Sequence, residues 1–269
     1  MNMPAIGLGT FRLQGQTVID SVLTGLELGY RHIDTAQIYG NEAEVGQAIA
    51  DSGIERASLF VTTKIWTENL SAAALAPSLE DSLARLQLDQ VDLTLIHWPS
   101  PGDAVPLAES LTALAEAKAR GLTRHIGVSN FTLAQLQQAI DLVGADRIAS
   151  VQIEMHPFLQ NRRVARLAGE NGIPVTAYMP LAYGKVMHDP VLQRLAVQHD
   201  TSPAQVALSW LLQQGFAVIP SSTRREHLQA NLQAARVRLS AADSAAIAAL
   251  ERGERLVNPD FAPQWDPDA

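Results

Sequence analysis

No cysteine occurs anywhere in this chain of 269 residues. That excludes thiol nucleophiles, zinc–cysteine sites, iron–sulfur clusters and disulfide staples, and it fits a reducing compartment. Basic residues are scarce as well: 20 Lys and Arg stand against 28 Asp and Glu, a formal balance of −8. No basic run is longer than the pair Arg224-Arg225. The clustered cations that phosphate contacts require are therefore missing, and nucleic acid is not an expected partner. Nothing approaches the roughly 18 uninterrupted apolar residues of a membrane span. The opening MNMPAIGLGT has no basic segment followed by an apolar stretch, so the chain reads as soluble and cytoplasmic. Low-complexity linkers and charge blocks are absent, which leaves residues 1–269 as one expected domain.

What the chain does have is alternation. Short β-rich apolar runs fall at 5–11, 30–36, 59–65, 91–98, 125–130, 150–155, 174–180 and 216–222. Amphipathic segments separate them. Ile19, Val22, Leu23 and Leu26 share one face of a helix over 17–28, with Gly29 as its stop. Leu75, Leu79, Leu83 and Leu86 do the same over 70–86. Ser202, Pro203 and Gln205 read as a capping-box start, and another helix is expected from Ser240. Residues 181–215 leave room for an extra loop or helix before the last strand. A doubly wound sheet would carry G-x-G-x-x-G after its first strand, but Gly7-Leu8-Gly9 lacks the third glycine. The expectation is a single (β/α)8 barrel of the TIM type, with its active site at the C-terminal ends of the strands. A closed barrel has no exposed edge and the sequence has no heptad seam, so a monomer is expected.

The polar residues at those strand ends are the candidates. Asp34 closes the second strand and Tyr39 follows in the loop; the third strand brings Lys64 and the fourth His97. Such a set suits protonation of an oxygen that turns negative as its carbon is attacked. A free tyrosine titrates near 10, and a nearby ammonium lowers that value. Lys64 is placed to supply the ammonium, Asp34 to hold it charged, and His97 to hydrogen-bond the phenol or a carbonyl oxygen. His32, His125 and His156 read as structural or as support behind the site, with no chemistry of their own, and His188 and His199 as surface.

Asp34-Thr35-Ala36 with Tyr39, Thr62-Thr63-Lys64, Ile96-His97-Trp98-Pro99, Ile126 to Phe131 (IGVSNF) and Ile219-Pro220-Ser221-Ser222 resemble, in order, the signatures of the aldo-keto reductases. Within that family the chain resembles the bacterial 2,5-diketo-D-gluconate reductases, in particular the B type that also handles methylglyoxal-like carbonyls. The resemblance implies NADPH-dependent reduction of small aldehydes and ketones to alcohols. It implies Tyr39 as general acid, Lys64 and Asp34 as its tuning pair, and His97 as the group orienting the carbonyl. Ser129, Asn130 and Gln152 would hold the nicotinamide carboxamide of NADP(H), and Tyr178 would stack on the ring. Leu181 backbone with Ser221, Ser222, Thr223, Arg224 and Asn231 would bind the phosphate and adenosine end, and Trp66 and Trp98 would shape the substrate pocket.

The chain departs from the family pattern in places. Val151 stands where Asn is common, and Met179-Pro180-Leu181-Ala182 replaces Ser-Pro-Leu-Gly. Ser221 and His227 stand where the family often has Lys and Arg, which implies weaker discrimination for NADPH. The short tail LVNPDFAPQWDPDA implies an open substrate site. Two rivals remain. A metal-dependent barrel hydrolase would use His32 and Asp34 as ligands, but Lys64 would occupy the cation's place, so no metal is expected. A non-catalytic, cofactor-holding redox sensor is opposed by the intact Asp-Tyr-Lys-His set.

Overall fold

The computed structural model describes residues 1–267. In chain order it contains β1 (Leu8–Gly9), α1 (Gly15–Leu28), β2 (His32–Asp34), α2 (Glu42–Asp51), β3 (Phe60–Ile65), α3 (Ala72–Leu86), β4 (Val91–Ile96) and α4 (Leu107–Ala119). Then follow β5 (Thr123–Ser129), α5 (Leu133–Val143), β6 (Ile148–Glu154), α6 (Arg162–Glu170) and β7 (Val175–Tyr178). The chain ends with α7 (Pro190–Gln198), α8 (Pro203–Gln213), β8 (Ala217–Val218), α9 (Arg225–Gln233) and α10 (Ala241–Ala248). The eight strands are parallel and pair in sequence order, β1 to β8, in one curled α/β sheet. A parallel bridge from Ile6 to Val218 joins its first and last edges. Backbone bonds from Gly7 to Val218 O (2.8 Å), Val218 to Ala5 O (2.8 Å) and Gly9 to Pro220 O (3.1 Å) complete that seam.

Three strands are much shorter than their apolar runs: β1, β2 and β8 keep only two, three and two residues. The remaining residues of those runs lie in bends and loops at the two ends of the sheet. The expected helix starts stand. Ser202 accepts from Gln205 N and Ser240 from Asp243 N, both in capping boxes. The interval before β8 holds a 3₁₀ segment over 182–188 and α7.

Side chains alternate across a strand, and that alternation builds the interior in layers. Phe60, Leu93 and Leu95 form a small apolar cluster packed by Met3 and Ala149. Near them His32 bonds Thr62 (3.3 Å) and Ser150 bonds Thr176 (3.1 Å). Asp34, Lys64 and Gln152, each two residues further along those strands, form the next layer. The outer faces pack against the helices through Val61, Ile65, Val18, Val22, Leu26, Leu75 and Leu79. His32 is thus structural, as expected. His199 is not a surface residue: it is partly buried and its Nε2 lies 3.0 Å from Asp243.

Gly127 lies where the register of β5 and β6 shifts, between Ile126 and Val128. A Cβ there would lie 2.3 Å from Ser150 O and 2.8 Å from Leu95 Cδ2. Both strands would have to part. Gly127→Ala is therefore expected to destabilise the protein by about 1–3 kcal/mol. Urea denaturation measures it, and an unchanged midpoint would show that the two strands yield freely.

Candidate functional site

Every strand-end candidate lies at the C-terminal end of the sheet. Asp34 is the last residue of β2, Lys64 the fifth of six in β3, and His97 follows β4 directly. Lys64 has no exposed surface. Its Nζ donates to Asp34 Oδ1 (2.5 Å) and Thr35 O (2.8 Å) and reaches Tyr39 OH at 3.4 Å. The second Asp34 oxygen accepts from Gln152 Nε2 (2.8 Å). A buried charge pair needs such additional bonds to hold, and here each partner has them.

Tyr39 ends a short 3₁₀ turn, Gln37–Tyr39. Gln37 fixes that turn: its Nε2 donates to Ser78 and Ser82 on α3, and its Oε1 accepts from Trp66 N (2.8 Å) and Asn69 (3.1 Å). Nothing in the sequence pattern singled out Gln37. The Tyr39 ring meets His97 edge-on at 5.7 Å and tilts against Phe11 at 5.1 Å.

The expected lowering of the Tyr39 phenol by Lys64 is not what prevails. Burial pushes it above its ordinary value; the Lys64 ammonium pulls it down without reversing the sign. The phenol is thereby held protonated at neutral pH. Lys64 is held charged, its pKa raised: burial opposes the charge, but Asp34 and Tyr39 together outweigh it. Burial, with Lys64 adding to it, holds His97 well below the ordinary imidazole value, so this ring is neutral. Its Nδ1 is buried without a partner.

Ser129 and Asn130 do not cap α5. Thr132 does, in a capping box with Gln135. Asn130 instead adopts a left-handed backbone (φ 61°), donates to His97 O (3.0 Å) and accepts from Tyr178 OH (2.6 Å). Ser129 Oγ donates to Gln152 O (2.9 Å). Beyond half-buried Tyr178, the loop holds Met179, Ala182 and Tyr183 at positive φ, and Leu181 O accepts from Gly184 N (2.8 Å). Arg12 lies over both Tyr183 (4.5 Å) and Phe11 (5.1 Å), spanning the loops after β7 and β1.

After β8, Ser221, Thr223 and Arg224 are exposed and Ser222 is half-buried. Arg224 Nε donates to Glu226 (2.6 Å), and Arg225 pairs with Glu27 (2.8 Å). Asn231 stands apart from them, buried on α9 beside the Tyr30 hydroxyl.

The tail does not leave the site open. Phe261 packs edge-on against Trp66 and Trp98, 5.6 Å from each, and Trp265 packs on Trp98 at 5.9 Å. Trp66 in turn lies 5.4 Å from His97. Asp266 accepts from Leu133 N (2.7 Å) at the start of α5. A short segment with two aromatic rings is enough to arch over the tryptophans, which length alone did not reveal.

The family model for the aldo/keto reductases matches residues 5–252. The chain belongs to the aldo-keto reductase family. It is 59% identical over 267 residues to methylglyoxal reductase DkgB of Salmonella typhi, covering 99% of this chain and all of that protein. It is 57% identical to the protein of the same name from Escherichia coli O157:H7, with the same coverage. A solved structure described as a 2,5-diketo-D-gluconic acid reductase B superposes with a TM-score of 0.95 at 44% identity, covering 99% of this chain and 95% of the other. The aldose reductase of Schistosoma japonicum gives 0.90 at 32% identity, covering 96% and 92%. This aldo-keto reductase is thus an oxidoreductase of a family that reduces carbonyl groups. No helix among the described residues is long and apolar enough to cross a membrane, and no three His, Asp or Glu side chains among them gather as a metal cage.

Proposed function

We propose that this chain is an NADPH-dependent reductase of small aldehydes and ketones, methylglyoxal and 2,5-diketo-D-gluconate among them. In this reading it works in the cytoplasm as a single-domain (β/α)8 barrel and a monomer. The observation that carries the reading is the buried chain Asp34–Lys64–Tyr39, ending beside a neutral His97 at the mouth of the sheet.

The donor set fits a nicotinamide dinucleotide. Gln152 gives its amide nitrogen to Asp34, which leaves its carbonyl oxygen for a carboxamide N–H. Ser129 and Asn130 stand next to it, and Tyr178 offers a half-buried ring face at the end of β7. Leu181, Ser221, Ser222, Thr223 and Arg224 would take the phosphates, and Asn231 the adenosine side. A reduced nicotinamide bound there supplies the hydride.

The chain's own residues handle the proton and the orientation. Neutral His97 carries one N–H for a carbonyl oxygen. Tyr39, kept protonated by burial, gives its proton to that oxygen as negative charge grows on it, and the Lys64 ammonium stabilises the phenolate left behind. Asp34 keeps Lys64 charged throughout. Trp66 and Trp98 flank the substrate. Loss of NADPH absorbance on adding methylglyoxal to purified protein tests the activity; no turnover across a panel of aldehydes and ketones defeats the reading.

Cofactor preference follows from Arg224. A guanidinium can bond the 2′-phosphate that distinguishes NADPH, but Glu226 already holds this one at the exposed rim. The discrimination left is modest. Arg224→Ala is expected to raise KM for NADPH about tenfold and spare NADH. Equal weakening of both cofactors removes Arg224 from the 2′ position.

A further inference from the structure

Glu154 ends β6, two residues beyond Gln152 and on the same face. Its side chain has no exposed surface. Its carboxylate takes no part in the chain Asp34–Lys64–Tyr39. Oε1 accepts from Leu256 N (2.7 Å) and lies 3.0 Å from His156 Nε2; Oε2 accepts from Val257 N (2.9 Å). The turn after β6, where His156 and Leu159 exchange backbone bonds, brings Phe158 N to His156 Nδ1 (3.3 Å). Nδ1 is thus an acceptor, so the imidazole proton sits on Nε2 and is donated to Glu154. Three N–H groups converge on one buried carboxylate, and two of them belong to the tail.

Leu256 and Val257 are the last tail residues bonded to the strand end before the chain arches over the tryptophans. Trp265 Nε1 closes the arch on Asn258 (2.8 Å), and Asp266 ties its far end to α5. We propose that Glu154 is a positioning residue for carbonyl binding: its carboxylate clamps Leu256 and Val257 and so sets where Phe261 and Trp265 stand over Trp66, Trp98 and His97. β6 would then serve the site twice, through Gln152 on the proton chain and through Glu154 on the arch. The inference rests on the reading of this mouth as the carbonyl site.

Glu154→Gln replaces one acceptor oxygen with an NH₂ that meets a backbone N–H, donor against donor, in a buried place. KM for methylglyoxal is expected to rise about tenfold, the value of one lost charge-assisted bond, with kcat and the Kd for NADPH within about twofold. A double-mutant cycle with Phe261→Ala separates positioning from general damage. If Glu154 acts through the arch, the double variant matches Phe261→Ala alone; additive effects on KM overturn the proposal. Hydrogen exchange on the wild-type protein keeps the test open should Glu154→Gln fail to fold. Leu256 and Val257 amides must be protected like strand amides, and exchange at the rate of an unstructured peptide sinks the clamp. That readout does not depend on turnover, so an inactive wild type would count against the carbonyl reading and not against the clamp.

Discussion

Tyr39→Phe is expected to lower turnover by about 10²–10⁴-fold while NADPH binds as in the wild type. The substitution removes one hydroxyl, and with it the 3.4 Å contact from Lys64 Nζ, but it keeps the ring, so the ring contacts with Phe11 and His97 and the Lys64 ammonium over the ring remain. In the proposed function the hydroxyl is needed only when charge develops on the carbonyl oxygen. Its loss therefore falls on the transition state and not on ground-state binding. Steady-state rates beside a fluorescence titration of NADPH separate the two. Turnover near the wild-type rate would mean that another group, or solvent, delivers the proton.

Lys64→Met should damage both activity and folding. Asp34 would stay buried with only Gln152 and no countercharge. Breaking a buried pair from one side costs about 3–5 kcal/mol, and in the proposed function the phenolate left on Tyr39 would lose its stabilising cation. The double variant Asp34→Asn with Lys64→Met removes both charges, so it should regain most of the stability and none of the turnover. Guanidinium denaturation of the three variants is the measurement. A Lys64→Met protein as stable as the wild type would show that Asp34 takes up a proton at little cost, and that the pair is not the ionic unit described above.

The order of the strands and their polar ends were legible in the sequence, because period-2 alternation and strand-end position need only local pattern. Asp34, Lys64, His97, Ser129 and Gln152 all stand at the mouth for that reason. The lengths of β1, β2 and β8 were not legible, since an apolar run continues to be buried after its ladder bonds end. The sign of the Tyr39 shift was also hidden. A spacing of 25 residues says that Lys64 is near, but not that burial outweighs it. Hardest to read were the tail and its anchor. Phe261 and Trp265 lie in a segment with no periodicity, and a Glu at a strand end looks the same whether it faces a cation, water or two distant amides. Gln37 is invisible for a similar cause, as its partners lie some 30 to 45 residues further on.

The seam between the first and last strands carries a consequence for how the molecule comes apart. Two of the shortest strands meet there through one bridge and a few backbone bonds. Gly9 on one side and Pro220 on the other stand directly below the loops that begin with Thr10 and Ser221. In the proposed function, a dinucleotide that touches both loops would act as a rivet across this short-stranded joint of the curled sheet. Its affinity and the heat resistance of the protein become two readings of a single quantity, since a ligand that holds only the folded chain raises the melting temperature with its concentration.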